Sequence, residues 1–154
     1  MPIYGVPFKD EQLFSLVNII LPGWLLLLVA PRWRHSQTIS AVAGIAMSLL
    51  YAALLISSLF FSKSDEKLDP ADMFTYEGVV RLLANRAAAL PCWVHFAAFD
   101  LWVGRWIAED SVKRNVPHVL MAPCLFLTMM FGPAGLLLYH CIRAPFNGII
   151  RQIE

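Results

Sequence analysis

The stretch TISAVAGIAMSLLYAALLISSLFF (38–61) contains no Lys, Arg, Asp or Glu. About 20 mostly apolar residues are enough for a helix to cross the hydrocarbon layer of a bilayer. Two other uncharged windows, 12–30 and 117–142, meet this requirement, and a fourth, 87–108, meets it while carrying charged side chains. We therefore predict an all-α membrane protein with four transmembrane helices in an antiparallel bundle.

The composition of the chain agrees with this prediction. Hydrophobic residues make up 58% of the sequence, charged residues make up 15%, and the mean hydropathy is +0.62. Four spans use most of the 154 residues, so we expect one membrane domain, 1–154, in contact with membrane lipid. A net charge of +1 argues against a nucleic acid partner.

The N-terminal stretch MPIYGVPFKDEQ (1–12) lacks the layout of a signal peptide, so we expect the first span to be retained. We expect a multi-pass protein of a bacterial inner membrane or an organelle membrane. The basic residues of the loops do not decide its orientation.

The connection before the third span carries the signals of a helix. Asp69 is a candidate cap, Pro70 suits the first helical position, and apolar residues from Met73 to Leu83 recur at helical spacing. We predict a short amphipathic helix over 70–84, lying at the membrane interface.

Small and polar residues mark one face of two predicted spans. In the first span Ser15, Asn18 and Pro22 share a face, which we expect to turn away from lipid. The last span has a stripe of small or polar residues, namely Cys124, Thr128, Gly132, Gly135 and Tyr139. Pro133 lies beside this stripe and predicts a kink near the middle of the span.

The cysteines do not predict a disulfide framework or a zinc site. Cys92, Cys124 and Cys141 are odd in number and lack paired spacing. We interpret them as small core residues and predict neither a metal nor a cofactor.

The third span, with WVHFAAFDLWVGRW (93–106), contains ionisable side chains that need an explanation. An aspartate at a helix centre costs roughly 2.5–3.5 kcal/mol unless it is paired or protonated, so Asp100 is expected to point into the bundle. It either holds the bundle together through hydrogen bonds or takes part in function. Arg105 lies nearer the membrane surface, where it can reach headgroups or bend back toward an acid.

An aromatic face runs along the same helix. His95 shares it with Phe99, Trp102 and Trp106. This face suits either contact with a flat, conjugated ligand or a position in the aromatic belt at the membrane surface.

Two segments of the sequence carry a resemblance. WVHFAAFDLWVGRWIAED (93–110) and PCLFLTMMFGPAGLLLY (123–139) resemble the ABA-deficient-four-like family of small four-span membrane proteins, and the residues at 18–24 and 74–83 agree with it. The plant members are associated with neoxanthin formation, in which an epoxide of violaxanthin is opened and a hydrogen is lost to give an allene.

The resemblance implies a carotenoid-like ligand and isomerisation by acid and base chemistry without a redox cofactor. Asp100 would be the acid, His95 the base, and Arg105 would stabilise the developing alkoxide. We add four residues as ligand-facing candidates: Asn18, Trp102, Thr128 and Tyr139. The alternative is a non-catalytic accessory or assembly subunit that contacts neighbouring subunits of a larger membrane complex. A small transporter or channel has less support, because the sequence contains no inverted repeat.

Overall fold

A computed structural model describes residues 9–61 and 69–146, and every regular element in these ranges is helical. This confirms the all-α prediction. The α-helices are α1 (Asp10–Ser15), α2 (Leu21–Val29), α3 (Ser36–Ile56), α4 (Tyr76–Ala84), α5 (Arg86–Lys113), α6 (His118–Phe131) and α7 (Pro133–Arg143). Shorter elements are the 3-10 helices Leu16–Ile20, Pro70–Phe74 and Ala144–Phe146 and the π-helical turn Ser57–Phe61.

Three helical stretches in the described ranges are long and apolar enough to cross a membrane: Asp10–Val29, Ser36–Phe61 and Ala87–Lys113. Stretches of this kind fit a multi-pass membrane protein. The third one continues beyond residue 108, where we had expected it to end. The fourth expected span, 117–142, is divided between α6 and α7, so four antiparallel spans are not confirmed.

The described residues fall into two compact units. The first contains residues up to Asn18 together with Ala46–Phe96, and the second contains Ile19–Ile45 and the residues from Ala97 onward. In the first unit α1 lies near the start of α5, where the rings of Phe14 and Trp93 have centroids 6.4 Å apart.

The helix expected over 70–84 is present in the first unit in two parts. Asp69 caps the 3-10 turn by accepting a hydrogen bond from the backbone N–H of Ala71 at 2.9 Å, as the sequence predicts. Thr75 then caps α4 by accepting from the N–H of Gly78 at 3.1 Å. The helix divides at Thr75 because its extended backbone, with φ −131° and ψ 149°, interrupts the helical path.

In the second unit, aromatic rings pack directly against glycines of neighbouring helices. The ring of Trp24, which is 2% exposed, lies over Gly104 so tightly that a Cβ there would be 2.5 Å from it. A Cβ at Gly44 on α3 would be 2.9 Å from the ring of Trp102. These glycines allow α2 and α3 to pack closely against α5.

Helices α6 and α7 of the second unit pack against each other as a hairpin. The turn is at Gly132, whose φ of 47° is a conformation that glycine adopts without steric cost. Beyond the turn, Gly135 packs so closely on the backbone of Thr128 and Cys124 that a Cβ would overlap both. Pro133 correctly predicts a break in the helix at this position, but the chain reverses direction there instead of continuing as a kinked span.

Contacts along α5 fix the direction of the hairpin. The start of α7 lies beside Asp100, because a Cβ at Gly132 would be 2.6 Å from the Asp100 Oδ1 atom. The end of α7 lies beside Asp110, which accepts hydrogen bonds from Tyr139 and Arg143. Helix α7 therefore runs parallel to α5, and α6 runs antiparallel to both.

Two expectations about burial are wrong. Ser15, Asn18 and Pro22 are exposed on this chain, because the 10–29 segment packs through a different face that contains Leu13, Val17, Ile20, Trp24 and Leu27. Cys141 is also exposed, so it is not a core residue.

Candidate functional site

An aromatic groove runs between α5 and α7 in the second unit. It has a volume of about 390 Å³, and its lining residues are Phe99, Trp102, Val103, Trp106, Leu136 and His140. Three of them, at positions 99, 102 and 106, recur at the helical spacing that the sequence showed. The parallel course of α7 supplies the opposite side. The resulting surface is apolar and largely aromatic, which suits a flat or conjugated apolar ligand.

Asp100 lies near the Phe99 end of this groove but is not one of its lining residues. It is half-buried and precedes Val103 by about one helical turn, while its neighbour Gly132 precedes Leu136 by one turn. Gly132 is also the residue before the first turn of α7, so the Asp100 carboxyl lies beside the start of that helix.

A polar cluster lies at the other end of the groove. Asp110 accepts a hydrogen bond from the Tyr139 hydroxyl at 2.8 Å and from Nη1 of Arg143 at 3.1 Å, and both of its oxygens accept from Nε of Arg114 at 2.9 Å. The Arg143 guanidinium also lies 5.3 Å from the ring centre of Trp106. Asp110 therefore joins the C-terminal ends of α5 and α7.

This cluster is not predicted by the sequence reasoning, because Asp110 lies outside the expected span of 87–108. The signal was present, since Asp110 and Arg114 are four residues apart and such pairs meet on one face of a helix. Nothing in the sequence indicated that Tyr139 and Arg143 would approach the same carboxylate.

Arg105 lies against the groove residue Trp102. Its guanidinium is 5.4 Å from the centre of the Trp102 ring, and its Nε donates to the backbone carbonyl of Gln37 at 3.1 Å. Within residues 9–61 and 69–146 its terminal nitrogens make no hydrogen bond. The Nε edge of the guanidinium is thus fixed by its hydrogen bond to Gln37, while the edge with the terminal nitrogens can bind another group.

His95 belongs to the first unit and Asp100 to the second. The His95 ring is half-buried and lies 5.1 Å from the ring of Tyr51 and 5.9 Å from that of Phe96, measured between centroids.

The four ligand-facing candidates occupy different positions. Trp102 lines the groove, and Tyr139 lies just behind it, with its ring perpendicular to that of Trp106 at 5.8 Å. Thr128 is fully buried in the hairpin, where its hydroxyl donates to the Cys124 carbonyl at 2.8 Å. Asn18 is exposed on the outside of the chain. The groove thus includes one of the four and borders a second.

No group of three or more His, Cys, Asp or Glu side chains in the described part of the chain is arranged to hold a metal ion. The polar groups that flank the groove are instead single carboxylates, hydroxyls and guanidinium groups.

The fold and the groove define a class: a small helical protein with apolar helices long enough to span a membrane, a C-terminal helical hairpin and an aromatic groove. A family model described as ABA DEFICIENT 4-like matches residues 12–139. The chain therefore belongs to the ABA DEFICIENT 4-like family. Searches of curated proteins and of solved structures found no match.

Proposed function

We propose that the protein binds a carotenoid-like lipid along the aromatic groove and isomerises it by acid and base chemistry. The observation that carries this proposal is the groove itself, whose aromatic residues Phe99, Trp102 and Trp106 lie on α5. Asp100 follows Phe99 directly, and Asp110 is ten positions further along the helix, or roughly 15 Å along its axis. The polar end group of a long apolar molecule would therefore find a carboxylate near either end of this aromatic row.

The reaction that we propose is the opening of an epoxide. Asp100 donates a proton to the epoxide oxygen as its carbon–oxygen bond breaks, and a base removes a proton from a neighbouring carbon to form the new double bond. The product is an isomer of the substrate, so no oxidant or reductant is consumed. The membership of the ABA DEFICIENT 4-like family supports a role associated with neoxanthin synthesis.

The other two residues keep the roles that the sequence predicts. His95 is the candidate base, and Arg105 stabilises the alkoxide that develops on the epoxide oxygen. The support for Arg105 is its contact with the groove residue Trp102 and the availability of its terminal nitrogens.

The test is the carotenoid profile of a violaxanthin-producing host that expresses this protein. We expect a new pigment peak with the natural sequence and at least a 100-fold smaller conversion rate with Asp100→Asn, since positioned general acids contribute roughly 10²–10⁴-fold. Glu109→Gln is the matched control, because Glu109 is on the same helix and forms an exposed pair with Lys113.

An unchanged profile, with the natural sequence and both variants well expressed, would contradict the isomerase proposal. It would favour the accessory-subunit alternative, which we would then pursue through the stoichiometry of copurifying membrane proteins. Equal conversion by the natural sequence and Asp100→Asn would remove Asp100 from the chemistry.

A further inference from the structure

A single ionisable side chain, that of His140, lies among the described residues that line the aromatic groove. The other lining residues are apolar or aromatic: Phe99, Trp102, Val103, Trp106 and Leu136. The imidazole packs beside the indole of Trp106, with ring centroids 5.6 Å apart and planes tilted by 34°. An imidazole in such surroundings brings polar atoms to a surface that is otherwise suited to hydrocarbon.

The orientation of α7 separates His140 from the polar cluster around Asp110. Tyr139 and Arg143 both donate hydrogen bonds to Asp110, at 2.8 and 3.1 Å. His140 follows Tyr139 directly, and successive side chains of an α-helix point about 100° apart. The Tyr139 side chain is therefore buried, while that of His140 lines the groove.

We propose that His140 is a specificity-determining residue, whose imidazole binds a hydroxyl on the end group of the lipid in the groove. In a neutral imidazole one ring nitrogen donates and the other accepts, and a hydroxyl can do both, so the pair can form in either direction. A hydrocarbon end group at the same place removes water from the imidazole and gives it no hydrogen bond, which costs free energy. The groove thus selects hydroxylated conjugated lipids over unsubstituted ones.

This inference deepens the proposed function, since it rests on the binding of a conjugated lipid in the groove. It does not depend on the acid and base chemistry assigned to Asp100. The expected preference is modest, because His140 is exposed and one hydrogen bond between neutral groups changes an affinity by about two- to tenfold.

The test is a competition between two pigments with the same hydrocarbon skeleton: zeaxanthin, which has a hydroxyl on each end ring, and β-carotene, which has none. The purified protein is equilibrated with equal amounts of both in detergent micelles and separated from empty micelles, and its pigments are measured by chromatography. Neither pigment contains an epoxide, so binding is measured without the proposed reaction. We expect the natural protein to enrich zeaxanthin about fivefold relative to the empty micelles.

Three variants show whether this preference comes from His140. His140→Phe keeps a ring beside Trp106 and removes the polar atoms, so we expect it to bind both pigments with little preference. His140→Gln restores a donor and an acceptor and is expected to keep most of the preference. His35→Phe is the matched control, because His35 is exposed, lies 5.0 Å from the ring of Trp33 and is outside the groove. The pigment ratio reports the hydroxyl contact, because a general loosening of the groove would lower the binding of both pigments alike.

Three results would overturn the inference. Equal binding of the two pigments by the natural protein would remove the selection and leave the groove itself in place. A natural preference that His140→Phe retains would mean that the hydroxyl is recognised elsewhere. Failure of the natural protein to retain either pigment would contradict the groove as a lipid site, and the role of His140 with it.

Discussion

The Gly132→Ala variant is expected to lose roughly 2–6 kcal/mol of unfolding free energy, because two costs add at this position. Alanine at φ 47° is strained, whereas glycine is not. Its Cβ would also lie 2.6 Å from Oδ1 of Asp100, which is well inside van der Waals contact. The start of α7 would then have to move away from α5.

The loss is measured by titrating the protein in mixed micelles with a denaturing detergent and following its helical circular dichroism. Gly23→Ala is the matched control, because Gly23 lies inside α2 without a positive φ and its Cβ would meet Ser40 at 3.3 Å. We expect Gly23→Ala to lose well under half as much unfolding free energy as Gly132→Ala. Equal losses in the two variants would contradict the tight turn at Gly132.

The Asp110→Asn variant is expected to lose roughly 2–3 kcal/mol of unfolding free energy. The substitution removes the charge that two guanidinium groups share, and breaking a buried ion pair typically costs 3–5 kcal/mol. We expect less than this full range because the Asp110 side chain is 14% exposed and its arginine partners are 16% and 21% exposed. The contacts that hold the end of α7 to α5 would weaken.

The adjacent carboxylate provides a control for this variant. Glu109 pairs with Lys113 at 2.7 Å, but its side chain is 43% exposed, and exposed pairs contribute about 0–1 kcal/mol. The same detergent titration is therefore expected to show little change for Glu109→Gln. A similar loss in both variants would mean that Asp110 acts as an ordinary surface charge.

The sequence predicted the buried stripe of the C-terminal segment but not its path. All five residues of the stripe from Cys124 to Tyr139 are buried, as their spacing indicates. The same spacing fits a continuous helix and a hairpin equally well, since the period reports which face is buried and not whether the axis reverses. Gly132 followed by Pro133 was the local signal for a break, but a break alone leaves the angle undetermined.

The first span shows a second limit of sequence reasoning. We placed Ser15 and Asn18 inward because polar side chains usually avoid lipid, yet Leu13 and Val17 form the buried face. Polarity predicts that a side chain needs a partner, and it does not say whether that partner belongs to the same chain.

The candidate site was predictable in part. The aromatic spacing on α5 indicated one side of a groove, with Phe99, Trp102 and Trp106 on a shared face. Its other side, with Leu136 and His140, depends on α7 running back alongside α5. That contact joins residues 30 or more positions apart, so it follows from the hairpin and cannot be read from local periodicity.

The binding of a conjugated lipid in the groove is the central claim, and its most direct test is the amount of xanthophyll that copurifies with the protein from a violaxanthin-producing host. Leu136→Trp fills the groove, and Leu137→Trp adds the same side chain at the next position, which is 67% exposed and outside the groove. We predict that the natural protein and Leu137→Trp retain pigment, while Leu136→Trp loses most of it. Equal pigment in all three proteins, or none in the natural one, would contradict the claim.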